Sequence, residues 1–92
     1  MNKEDIAFAL DELDILMTKV ARVHGDSHPE LLEISALYPE LRKALKEEDT
    51  AAAAETLEKI SALSHGFALP ADACQAYTRV YKAYEMISNA LK

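Results

Sequence analysis

Between Glu4 and His24 the apolar residues Ile6, Leu10, Leu13, Met17 and Val20 recur at alternating intervals of four and three, and His24 falls on the next step. Only an α-helix turns such a spacing into one continuous face. The pattern then repeats. Leu31, Ile34, Tyr38, Leu41 and Leu45 form a second stripe that arrives at Glu48; Ala53, Leu57, Ile60 and Ser64 form a third; Ala73, Tyr77, Val80, Tyr84, Ile87 and Leu91 form a fourth. No segment alternates with the period of two that a half-buried strand requires. Four amphipathic helices cannot bury four stripes except against one another, so the chain predicts an all-α fold in a single domain, residues 1–92.

The boundaries follow from local chemistry. The two glycines, Gly25 and Gly66, each end a helical stretch where a left-handed cap residue is expected. Ser27-His28-Pro29-Glu30 reads as a capping box with proline in the first turn, and Asp49 or Thr50 as the cap of a third helix. Pro70 is expected to open the fourth helix, with Asp72 in its first turn. Pro39 cannot donate to the Ser35 carbonyl, so a kink or break in the second helix is expected near Tyr38. Short connections favour antiparallel neighbours, which gives an up-down-up-down four-helix bundle. The ends of the first and third helices then share a pole with the starts of the second and fourth.

Composition excludes several classes of function. A net charge of −6, with ten Lys and Arg spread over all the helices, opposes contact with phosphate backbones and argues against nucleic acid. No apolar run approaches the roughly 20 residues of a membrane span. The lone cysteine, Cys74, offers no disulfide framework, and with Lys3, Glu4 and Asp5 in place of a leader the expected address is the cytoplasm. Glu4, Asp5, Asp11, Glu12 and Asp14 crowd the first half of helix one, with Lys19 and Arg22 towards its end. That arrangement reads as a solvated face ordered by the helix dipole.

The side chains with ligand or redox chemistry gather at the shared pole: His24, Asp26, His28, His65, Asp72 and Cys74. His24-x-Asp26-x-His28, with His65 and Cys74, has donors that zinc or iron would accept. Each residue also has a plainer reading. His24 is a dipole partner at a helix end, Asp26 serves the loop, and Cys74 is either a redox-sensitive thiolate near a helix start or a small buried apolar residue. Glu48 is either an isolated ligand or the point at which the second stripe runs into solvent. Tyr77, Tyr81 and Tyr84 lie on neighbouring faces of the fourth helix and are expected in the core, with a partner-binding surface as the alternative. All three histidines lie at helix ends, which disfavours a phosphotransfer domain. No nucleophile–base constellation or phosphate loop is present, so an enzyme is not expected.

Two segments carry a family resemblance. Lys19-Val-Ala-Arg-Val-His24-Gly-Asp-Ser-His-Pro-Glu-Leu31, continuing through Leu41 to Lys46-Glu-Glu48, and Leu69-Pro-Ala-Asp-Ala-Cys74 followed by Tyr77 and Tyr81, resemble the iron–sulfur cluster repair proteins, di-iron proteins on a hemerythrin-like bundle. The resemblance implies that same bundle over roughly residues 3 to 92, but not the metal. The family's His-x-x-x-Glu ligand pair in helix two falls here on Ala44 and Glu48, or one turn later on Glu48 and Ala52. Its first-helix ligand falls near Lys3, its third-helix histidine near Thr50, and its last pair beyond Lys92. The expectation is a shortened, metal-depleted relative without a resident cofactor, acting as a binding or regulatory module through a protein partner or as a homodimer. The alternative is an iron- or zinc-binding stress-response protein with its site at the pole or across a dimer.

Overall fold

The computed structural model describes residues 2–92 and contains α1 (Lys3–His24), α2 (Glu30–Lys46), α3 (Thr50–Leu63) and α4 (Gln75–Ala90). No strand occurs among the described residues. None of their helices is long and apolar enough to cross a membrane. The helices form a ring in chain order in which α1 packs most closely on α4 and α2 on α3, while the α3–α4 seam is thinnest. Along that seam the small side chains of Ala54 and Ser61, with Leu57, face Ser88 of α4 and Leu91 just beyond it, leaving a groove of about 230 Å³.

The expected stripes are the core. Leu13, Met17, Val20, Leu31, Ile34, Leu41, Ile60, Tyr77, Val80, Tyr84 and Ile87 are all buried. The third stripe ends on Ser64, which is buried although polar. Its hydroxyl donates to the Ser61 carbonyl at 3.2 Å and accepts from the Phe67 N–H at 3.0 Å, so its burial leaves no orphan group. Tyr84 points its hydroxyl at the Met17 sulfur, 2.9 Å away in the middle of the α1–α4 seam.

Two carboxylates on the acidic half of α1 are not merely solvated. Asp14 accepts from the Tyr38 hydroxyl at 2.5 Å and takes a two-pronged bond from Arg42 at 2.9 and 3.0 Å, tying α1 to α2. Glu12 is gripped the same way by Arg79 of α4. Both carboxyls are held below the usual range by these guanidinium hydrogen bonds.

Helix ends depart from expectation more than helix faces do. Asp49 caps α3 as expected, accepting from the Ala52 N–H at 3.1 Å. Asn2 does the same for α1 through the Asp5 N–H at 3.2 Å. The Ser27–Glu30 capping box does not form: Pro29 precedes α2 with no side-chain cap. The reason is register: α2 starts at Glu30, which puts Pro29, whose ring carries no acceptor, at the cap position with helical φ −61°, ψ −21°, and leaves Ser27 two residues outside it. The turn is closed by main chain, His28 N–H to the His24 carbonyl at 2.8 Å and Leu31 N–H to the His28 carbonyl at 3.0 Å. The same near-helical turn overturns the left-handed role of Gly25, which lies at φ −61°. That glycine is needed for room. A Cβ there would strike the Ala21 carbonyl oxygen and press on Leu32 at 3.0 Å.

Gly66 is left-handed as expected at φ 73°, yet the residue that closes α3 is its neighbour His65, at φ 54°. The His65 N–H reaches the Ala62 carbonyl at 3.3 Å and the Gly66 N–H reaches that of Ser61 at 2.8 Å, the paired bonds of a Schellman cap. Glu48 occupies the equivalent position after α2 at φ 55°, with Asp49 N–H on the Ala44 carbonyl at 2.8 Å. α2 runs through the exposed Pro39 without a break. Finally, α4 begins at Gln75 and not at Pro70. Pro70 to Ala73 form a separate turn, closed by Ala73 N–H on the Pro70 carbonyl at 3.1 Å, and this places Asp72 ahead of the helix.

Candidate functional site

The shared pole is present, and within it two pairs form. His24, in the last turn of α1, puts Nε2 3.3 Å from the Cys74 sulfur. His28, in the turn before α2, donates from Nε2 to both carboxylate oxygens of Asp72, at 3.0 and 3.1 Å, with its Nδ1 4.0 Å from Glu30. Both imidazoles stand edge-on to the ring of Tyr77, at centroid distances of 5.2 and 5.7 Å, and Tyr77 stands edge-on to Tyr81 at 5.0 Å. A buried aromatic pair thus forms the floor on which the two polar pairs rest.

The charge chemistry follows from these contacts. The hydrogen bond from His28 holds the Asp72 carboxyl below the usual carboxylate range, and burial pushes the Tyr77 hydroxyl above its ordinary value. Cys74 is exposed, which corrects the reading of a buried apolar cysteine. It is the N-cap of α4: in extended geometry at φ −80°, ψ 175°, its sulfur accepts from the Tyr77 N–H at 3.4 Å. The thiol is therefore accessible to reagents in solution and touches an imidazole on its other side.

The remaining candidates do not join this group. Asp26 is exposed in the turn after α1. His65 is exposed as well and lines, with His28, Glu30, Tyr77 and Tyr81, a shallow cleft of about 170 Å³. Among the described residues no three His, Cys, Asp or Glu side chains gather as a metal-holding group. Glu48 lies at the opposite pole, where it pairs with Lys3 at 2.7 Å, the two side chains 58% and 75% exposed. Of the positions that resemble the repair family's ligands, Ala44 is buried and apolar, Lys3 carries a positive charge, and Glu48 is spent on Lys3 at the surface. That donor set does not fit a di-iron centre, which needs several imidazoles and carboxylates converging between facing helices.

A second surface escaped the sequence reading. Phe8, Ile15 and Val23 of α1 are 57%, 65% and 69% exposed, the most exposed large apolar side chains among the described residues. At 3.6 residues per turn they fall within a sector of about 80° and span about 22 Å along the helix. α2 and α4 flank α1 on its other sides, and among the described residues no helix packs over this face. The signal in the sequence was the spacing of seven and eight residues, Phe8 to Ile15 to Val23, running along the side of the helix opposite the buried stripe. Compared with known protein families, curated proteins and solved structures, the chain matches none.

Proposed function

We propose that this chain is a non-enzymatic helical binding or regulatory module of the cytoplasm, resembling a metal-depleted iron–sulfur cluster repair protein, and that it contacts a protein through the outward face of α1. The observation that carries this reading is the row of Phe8, Ile15 and Val23, each more than half exposed on a helix whose opposite face fills the core. Exposed apolar rows of this kind, rimmed by charge, mark protein contact surfaces. A net charge of −6 favours a protein over a nucleic acid as the partner. The test is site-specific photo-crosslinking in cells, with benzoylphenylalanine replacing Ile15 or, on another helix, the exposed Lys43. A discrete adduct from position 15 and none from position 43 is expected. Equal labelling at both, or none at either, removes the α1 face as a binding surface.

A second reading, an iron- or zinc-binding stress-response protein, draws on the approach of His24 to Cys74 and of His28 to Asp72 at one pole. A metal bound there, or between two such poles, stabilises the fold by mass action. Zinc or ferrous iron then raises the melting temperature of the untagged protein, and Cys74→Ser with His28→Ala abolishes the rise. An unchanged melting temperature at millimolar metal eliminates the idea.

A further inference from the structure

We infer that the partner on the α1 face is a second copy of this chain, docked antiparallel about a two-fold axis that crosses α1 beside Ile15; this rests on the reading of that face as a binding surface. The face is self-complementary in both shape and charge. Phe8 and Val23 lie seven and eight residues to either side of Ile15, so on an antiparallel pair Phe8 of one copy is level with Val23 of the other, and Ile15 meets its own counterpart. The charges on the same face run the opposite way along the helix. Asp11 lies before Ile15, Lys19 and Arg22 after it, all exposed and within roughly 120° of the circumference. Among the described residues none of the three takes part in an ion pair, whereas Glu12, within the same sector, and Asp14, on its flank, are already engaged with Arg79 and Arg42.

In the two-fold arrangement Asp11 of each copy stands within about 1.5 and 3 Å, along the axis, of Lys19 and Arg22 of the other. The unpaired acid and the unpaired bases thus find each other twice. A parallel arrangement would instead set Asp11 against Asp11 and the bases against the bases. The apolar strip is narrow, three residues per copy, so the dimer is a weak one with a Kd on the order of 10–100 µM.

The test uses the full chain and reads mass by light scattering from 10 µM to 1 mM. The mass should rise from 10.2 kDa towards twice that value, and 0.5 M NaCl should weaken the association several-fold. Ile15→Glu should be monomeric throughout with an unchanged far-ultraviolet spectrum. Charge reversal fixes the register. Asp11→Lys alone, and Lys19→Glu with Arg22→Glu alone, should each weaken self-association by about tenfold or more, because each places like charges at both contacts. An equimolar mixture of the two variants should associate as the wild type does, since every contact in the mixed dimer is again between opposite charges. A mixture that stays monomeric overturns the antiparallel register. A wild type that stays monomeric at 1 mM overturns the second copy as partner; a photo-adduct of another mass from position 15 would then leave the binding surface standing, and no adduct would remove both.

Discussion

At one end of the bundle His24, His28, Asp72 and Cys74 arrive from three segments and close over Tyr77; at the other, Lys3 meets Glu48 alone, both side chains mostly in water. The polar groups differ less than what lies beneath them. Over Tyr77 and Tyr81 the imidazoles are held by aromatic edges before they make any hydrogen bond, so little side-chain freedom is lost when they do. Lys3 and Glu48 have no such floor, and an exposed pair of flexible side chains contributes little, because solvent screens it and ordering both side chains costs entropy. Polar contacts at the first end are therefore consequences of packing, and at the second they are decoration on a helix cap.

The strongest way to break this contrast is to remove the floor. Tyr77→Ala should cost about 3–5 kcal/mol, the usual range for deleting a large buried aromatic, and Lys3→Ala far less. Urea denaturation of the two variants measures both. A loss below about 1 kcal/mol for Tyr77→Ala would mean that the polar pairs hold the ring, and not the reverse.

The helix ends at the two poles invert the ordinary rule for glycine, and that provides the next test. At the first pole Gly25 is right-handed and needed for space; at the second, a left-handed position is filled by Glu48. Gly25→Ala should therefore destabilise by about 1–3 kcal/mol through its collision with the Ala21 carbonyl, although alanine is the better helix former. Glu48→Gly should stabilise by about 0.5–1 kcal/mol, since relief of left-handed strain outweighs an exposed ion pair. Thermal melts that gave both substitutions the same sign would refute the cap assignment.

This inversion also shows where sequence reasoning stopped. Spacing identified the four stripes because burial in a bundle acts on every third or fourth residue alike, and even Ser64 at the end of the third stripe is buried. Caps were legible where one side chain suffices, as at Asp49. They were not legible where the path of the turn decides: Ser27 has the right neighbours, but the chain enters α2 already helical. Cys74 is a rare N-cap, so nothing in its type announced the start of α4. Topology brings His24, His28, Asp72 and Cys74 to one pole, yet the aim of each side chain depends on rings it cannot foresee: Asp26 is exposed in the turn, and His65 lines the cleft beside His28 without pairing with it. The α1 face stayed hidden because lone exposed apolar residues are common. Only the positions of α2 and α4 show that, among the described residues, no helix packs over it.

The smallest effect expected is also the one that separates the two ends by chemistry. The Asp72 carboxyl is lowered from its ordinary value chiefly by a hydrogen bond from His28, and that of Glu48 chiefly by one from Lys3. A carboxyl lowered on folding contributes stability that is fully present above its unfolded value, near pH 4, and is lost as pH falls through the folded one. Asp72→Asn and Glu48→Gln should each therefore lower the urea midpoint at pH 6 and converge on the wild type at pH 2 to 3. Salt should then tell them apart. His28 is 19% exposed and fixed against Tyr77, so of that pair only Asp72, at 60%, faces water, whereas Lys3 and Glu48 are both open to ions at 75% and 58%. At 0.5 M NaCl the Glu48→Gln difference should vanish while most of the Asp72→Asn difference persists. Equal sensitivity to salt would show that the aromatic floor does not organise the pair above it.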